Sequence, residues 1–334
     1  MKSTKGRFLL LTGLFMASTV ISLGLGRYFI APGTVVRVLS APLLPLTPDW
    51  ASQVETVLYG VRLPRVLMGI LIGAGLSCSG AVYQSVFQNP LVSPDLLGAS
   101  AGAGLGAALG LYLELGYLAV SVCAFLSGLL AVGLVVLIAS RVRGNPVLGL
   151  LLSGIMVGSL CTAGVSFLKL VADPANTLPV ITYWLMGSLA SIRSQDLSFA
   201  APPILLGMLC LLLLRWRINV LSVGDEEAQT MGVHVHRVRC TAIVCATFVT
   251  AACVSVSGMI GWVGLVVPHL ARSLIGSDCR RSIPASILLG GAFLPIADDF
   301  SRMMATSEVP IGILTAFAGA PFFLYLILRQ ERSR

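Results

Sequence analysis

Apolar stretches close to the roughly 20 residues that span a bilayer recur along this chain from Phe8 to Arg329, and no segment between them could form a separate soluble domain. Hydrocarbon offers backbone amides no partner, so such stretches must cross as helices. The apolar runs predict helices at about 8 to 30, 62 to 84, 95 to 113, 117 to 139, 149 to 171, 196 to 214, 237 to 257, 260 to 275, 282 to 298 and 311 to 328. The expectation is an all-α polytopic membrane protein with about ten crossings, one domain over residues 1–334. Composition agrees: 11% of residues are charged, against about 25% in soluble domains.

A net charge of +8 could indicate nucleic acid, but the positions of the bases point to membrane orientation instead. With the N-terminus inside, 15 bases fall on the cytoplasmic side: Lys2, Lys5, Arg7, Arg141, Arg143, Arg215, Arg217, Arg237, Arg239, Arg272, Arg280, Arg281, Arg329, Arg332 and Arg334. Only 7 fall outside: Arg27, Arg37, Arg62, Arg65, Lys169, Arg193 and Arg302. The bias predicts both termini in the cytoplasm. The inner turn from Gln88 to Asp95 carries no base, so the pairing of spans two and three rests on length. Lys2, Lys5 and Arg7 before an apolar run resemble a signal peptide, but no small-residue cleavage site follows, and a retained first span is expected. The eight cysteines lie scattered, mostly in apolar spans, without metal-like spacing, and read as packing residues.

Shifting the chain by 178 residues aligns "SGAVYQSVFQNPLVSPDLLG" with "SGMIGWVGLVVPHLARSLIG": Ser79 meets Ser257, Gly80 meets Gly258, Pro90 meets Pro268, and Gly98 meets Gly276. The first copy descends toward the cytoplasm and the second rises from it. Two halves of inverted topology follow, an architecture common in transporters.

A gradient-driven carrier needs an ionisable group near the midplane. Here the acids fall near span ends, and His269, beside Pro268, reads as a packed residue rather than a proton relay. A membrane enzyme is less well supported still, since no paired carboxylates or His cluster converge. Nor can the chain bind nucleotide by the usual phosphate loop, because its only lysines are Lys2, Lys5 and Lys169 and none lies in a GxxxxGK[ST] run. Any ATPase must be a separate subunit. The polar segment "SVGDEEAQTMGVHVHR" offers it a place: Asp225, Glu226 and Glu227 suit a helix N-terminus, and Gly232 can end the helix in a left-handed turn. Composition alone reads the same segment as a solvated loop.

The stretches "RLPRVLMGILIGAGLSCSGAVYQSVFQNPLVSPDLLG", "GDEEAQTMG", "SGMIGWVGLVVPHLARSLIGSDCRRSIP" and "ADDFSRMMATSEVPIGILTAFAGAPFFLYLI", in this order, resemble the FecCD-type permeases of ABC importers for iron-siderophores, haem, cobalamin and related chelates. The resemblance spans nearly the whole chain. It implies a dimer of ten-helix subunits, a homodimer or close heterodimer, in a bacterial or archaeal inner membrane. Two cytoplasmic ATPases would bind ATP-Mg, this chain binding no cofactor itself, and a periplasmic or lipid-anchored binding protein would deliver the metal-chelate cargo.

The resemblance also implies roles. The coupling helix falls within residues 222–236, with Gly224, Asp225, Glu226, Glu227, Ala228 and Gly232 as its core. Asn89, Pro90 and Leu91, with Asn145 and Pro146, fall at the cytoplasmic gate, and "TLPVITYWLMGSLA" from Thr177 to Ala190 matches an extra helix near the outer mouth. Pro268, His269 and Arg272 belong to an architectural motif. Arg62, Arg65 and Arg302 fall where acidic knobs of the binding protein rest. A motif that often reads Gly-x-Asp-His-Arg has Cys279 at the His position, which argues against a ligand role there. "ADDFSR" and "SEVP" favour the iron-chelate branch, with haem, cobalamin or oxyanion cargo as alternatives and a gradient-driven carrier behind them.

Overall fold

The computed structural model describes residues 4–26, 28–41, 49–142, 146–305 and 307–331. The described residues contain no strand. The long helices are α1 (Thr4–Gly24), α4 (Leu63–Val86), α5 (Ala99–Tyr112), α6 (Tyr117–Ala139), α7 (Pro146–Val171), α9 (Ser194–Leu221), α11 (Val235–Ser257), α12 (Val263–Ile275), α13 (Cys279–Met303) and α14 (Ile311–Glu331). They correspond in position one for one to the ten expected spans, and among the described residues seven are long and apolar enough to cross a membrane. Between them lie short helices α2 (Pro32–Ser40), α3 (Ser52–Val57), α8 (Thr177–Leu185) and α10 (Asp225–Thr230).

Several boundaries differ from the sequence expectation. The first span ends at Gly24 rather than near 30, and α2, α3 and a π-helical turn at Leu58–Arg62 fold over its exit. Their apolar positions, among them Val35, Val38, Val54 and Leu58, pack on Leu23 and Val66, forming a small satellite core. The third span starts only at Ala99, because Pro94–Leu97 forms a 3-10 turn closed by Gly98 at φ +77°. At the other end α9 runs on to Leu221, carrying Arg215 and Arg217 on its last turns.

Helix α4 is the centre of the bundle, with most of its side chains buried between α11 and α13. Glycine and serine permit that depth. A Cβ at Gly73 would sit 2.2 Å from the Gly290 carbonyl oxygen, so α4 and α13 meet backbone to backbone. On the other face Ser79 Oγ donates to the Ala246 carbonyl at 3.0 Å and Tyr83 Oη bonds Thr247 Oγ1 at 2.7 Å. Pairings of residue 72 with 253, 79 with 246 and 83 with 247 show that α4 and α11 run antiparallel. These are the two copies of the repeat, so its inversion is visible in the contacts. The aligned glycines Gly98 and Gly276 both end helical turns at positive φ. Gly80 and Gly258 have diverged: Gly80 lies inside α4, while Gly258 ends α11.

After Ser257 the backbone unwinds through Trp262 before α12 begins. Non-helical backbone at this depth needs protein partners. The end of α8 supplies them: Ser188 N–H donates to the Ser257 carbonyl at 2.8 Å, and Ile311 N–H to the Gly187 carbonyl at 2.9 Å.

Candidate coupling, gate and rim sites

Helix α10 begins at Gly224 and ends before Gly232, whose φ of +78° matches the left-handed turn expected there. Its one buried residue, Ala228, packs among Val220 and Leu221 at the end of α9, Val233 in the link that follows, and Val235 and Val238 at the start of α11. The Val233 N–H bonds the Ala228 carbonyl at 3.0 Å, folding the chain back beneath the helix. Asp225, Glu226 and Glu227 remain exposed, and Asp225 also pairs at 2.6 Å with Arg239, whose side chain is largely buried on α11. The segment is therefore a positioned helix rather than a solvated loop, fastened to both neighbouring long helices and presenting acids outward.

The turn after α4 lies at the same end. Gln88 adopts φ +49°, Asn89 N–H donates to the Gln84 carbonyl at 3.0 Å, and Asn89 Oδ1 accepts the Leu91 N–H at 2.9 Å. Gln88 Nε2 reaches the Leu221 carbonyl at 2.9 Å, linking this turn to the end of α9 and so to α10. Pro90 and Leu91 are exposed, with Leu91 at 49%, so neither is a packed side chain within one chain. Pro146 opens α7, and Asn145 lies outside the described residues.

Pro268 lies inside α12, where a missing N–H leaves the carbonyl four residues back without its helical donor. That carbonyl is Gly264, and it faces Gly80 so closely that a Cβ at Gly80 would sit 1.8 Å from its oxygen. Arg272 donates to Gln84 Oε1, and Gln84 Nε2 donates to the Leu265 carbonyl at 3.2 Å. Together these contacts clamp α12 on α4. His269 lies half-buried between Pro268 and Arg272. Cys279 is buried; its N–H donates to Asn219 Oδ1 at 2.8 Å and its thiol to Ser85 Oγ at 3.2 Å, a packing role at the start of α13.

The outer arginines require a correction. Arg62, Arg65 and Arg302 are 4%, 5% and 8% exposed, not free on a rim. Arg62 donates to the Leu23 and Gly24 carbonyls, both at 2.7 Å, and so caps the end of α1. Arg65 grips Asp298 with two bonds of 2.8 and 2.9 Å and reaches Glu308 at 2.8 Å. Arg302 pairs with Asp299 and, at 3.2 Å, with Asp298. Arg65 and Arg302 close on the three acids, and Arg62 on backbone carbonyls, because an unpaired guanidinium in this apolar setting would be costly. No fork is left free to greet an external carboxylate.

Sequence reasoning passed over a largely apolar slot with a few polar groups. A cavity of about 450 Å³ between α5, α7 and the unwound segment at Met259 and Gly261 is lined by Asp95, Ser100, Thr162, Ser166 and Lys169, among others. On the same helix Ser159, outside the slot, and Thr162 and Ser166, within it, donate to carbonyls four residues back at 2.8 to 3.0 Å, and all three are exposed. Their three- and four-residue spacing was the available signal.

The chain matches the FecCD transport family over residues 14–329. It is 37% identical to a molybdate import system permease protein of Haemophilus influenzae over 97% of this chain and 95% of that one. It is 36% identical to an Fe(3+)-citrate import system permease protein of Bacillus subtilis over 98% and 96%. A solved structure of a metal-chelate type ABC transporter in an inward-facing conformation superposes with a TM-score of 0.87 at 35% identity, covering 98% of this chain and 100% of that one. Family, fold and helix order agree, and the chain belongs to the FecCD transport family, as a multi-pass permease of ABC importers for metal chelates and related substrates.

Proposed function

We propose that two copies of this chain form the inner-membrane pathway for a ferric siderophore, with both termini cytoplasmic, delivered by an external binding protein and driven by two separate ATPase subunits. The observation that carries the reading is α10: a short acidic helix held rigidly by Ala228 and Arg239 at the bundle end where the turn at Asn89, Pro90 and Leu91 also lies. An ATPase pressing on Asp225, Glu226 and Glu227 would shift the adjoining ends of α9 and α11 against each other, and through Gln88 the gate turn. Exposed Leu91, with Asn145 and Pro146, then closes the pathway against the second subunit. Pro268 and Arg272 keep α12 fixed to α4 during that motion. The binding protein docks on the outer face that the buried ions around Arg65 hold in shape.

The slot along α7 suits a chelate better than a bare cation, because its lining is mostly apolar, with only a few polar groups to meet donors at a ligand's periphery. Overall similarity does not choose the cargo, since the relatives' names include both molybdate and ferric citrate. Proteoliposomes holding the reconstituted complex, offered a labelled ferric siderophore, haem, cobalamin or molybdate, decide the point. Ferric siderophore uptake with the others excluded is expected. Preferential uptake of molybdate would move the assignment to oxyanions.

A further inference from the structure

The thiols of Cys210 on α9 and Cys245 on α11 lie 3.3 Å apart. Both are half-buried, at a seam whose neighbours Leu209, Leu213 and Val244 face outward. The helices are close here for a backbone reason: a Cβ at Gly207, one turn before Cys210, would sit 2.4 Å from Val249 and 3.4 Å from the Cys245 carbonyl oxygen. A disulfide needs its sulfurs at about 2.05 Å, so they must close by roughly 1.2 Å, a distance that side-chain rotation covers. Cys78 and Cys253, by contrast, are fully enclosed in the core.

We propose that Cys210 and Cys245 are a redox-active dithiol, a modification site for membrane-soluble two-electron oxidants of the quinone class. Both S–H bonds break and one S–S bond forms, while two electrons and two protons reduce the quinone to its hydroquinone. Water-soluble thiols that keep cytoplasmic cysteines reduced reach the interior of a bilayer poorly, so such a bond persists there. The covalent loop from Cys210 to Cys245 encloses α10 and both helix ends that hold it. Oxidation therefore ties α9 to α11 on either side of the coupling helix and arrests it. That consequence, unlike the chemistry, rests on the coupling role proposed above.

The full-length protein in proteoliposomes is exposed to decylubiquinone, denatured and alkylated with maleimide. Two of its eight thiols should escape alkylation, and digestion should yield one linked pair containing Cys210 and Cys245. A second probe needs no oxidant: phenylarsine oxide should bind one equivalent with loss of water, and Cys210→Ala or Cys245→Ala should each abolish the binding. Eight alkylated thiols after quinone treatment, or a link mapping to Cys78 and Cys253, would overturn the assignment. In the assembled complex, stimulated ATP hydrolysis should fall on oxidation, return with dithiothreitol, and be insensitive in the double alanine variant. Unchanged hydrolysis in cross-linked protein would overturn the arrest. Failure of the reduced protein to import any chelate would count against the transport reading and leave the dithiol standing.

Discussion

Arg65 and Asp298, 233 residues apart in the chain, meet in a two-pronged ion pair of 2.8 and 2.9 Å that joins α4 to α13 at their outer ends. Removing Asp298 leaves Arg65 with Glu308 alone and takes one of the two acids from Arg302, and breaking a buried pair costs up to about 3 to 5 kcal/mol. Asp298→Ala should lower the unfolding temperature in detergent markedly. In Arg65→Met/Asp298→Leu much of that loss should return, because the buried guanidinium goes with its buried acid, while Arg302 keeps Asp299 and Glu308 is partly exposed. Equal losses in the single and double variants would show that the pair contributes no coupling.

The contact between Gly80 and Gly264 leaves no room for a side chain. Gly80→Ala should push α12 off α4 and destabilise the fold by about 1 to 3 kcal/mol, the usual range for overpacking. Thermal unfolding monitored by tryptophan fluorescence reads it. Trp262, just before α12, should report the shift at lower temperature than the global transition.

Helix α10 has little length to spare. Ala228→Pro removes the N–H that bonds the Gly224 carbonyl at 3.0 Å, and a proline inside a helix costs about 3 kcal/mol. The variant should insert and fold but fail to transmit, giving ATP hydrolysis that the binding protein no longer stimulates. Wild-type stimulation would separate α10 from coupling.

Asp278 caps α13, accepting the Arg280 N–H at 3.0 Å and the Arg280 guanidinium at 3.0 to 3.2 Å. The Arg280 side-chain hydrogen bonds hold its carboxyl below the ordinary carboxylate range. A depressed pKa stabilises the fold above the unfolded value of about 3.9, and that contribution is lost as pH falls through the folded value. Asp278→Ala should therefore cost about 0.5 to 2 kcal/mol at neutral pH. The gap to wild type should narrow below about pH 4. A gap independent of pH would assign the loss to packing.

The ten main helices, seven of them long and apolar enough to cross a bilayer among the described residues, were legible because apolar runs are a signal local to each segment. Helix α10 was legible for the same reason, its acids and terminal glycine being neighbours in sequence. What remained hidden depends on contacts across the chain. Arg62, Arg65 and Arg302 stood out as bases on the wrong side, but nothing local says that Asp298, Asp299 and Glu308 pair with Arg65 and Arg302 or that the end of α1 takes Arg62. Helices α2 and α3 escaped notice because each is short and buries only a few residues on α1 and α4. The end of α9 was cut early because Arg215 and Arg217 look like a loop, although the helix carries them on to Leu221.

The dependence of import on a separate ATPase is most directly measured in proteoliposomes containing this chain, its ATPase and the external binding protein, with no ion gradient across the membrane. Labelled ferric siderophore should accumulate when ATP-Mg is supplied on the ATPase side, and stop when ATP is withheld or a hydrolysis-dead ATPase is substituted. Uptake driven by a proton or sodium gradient without ATP would contradict the reading of this chain as an ATP-driven import permease.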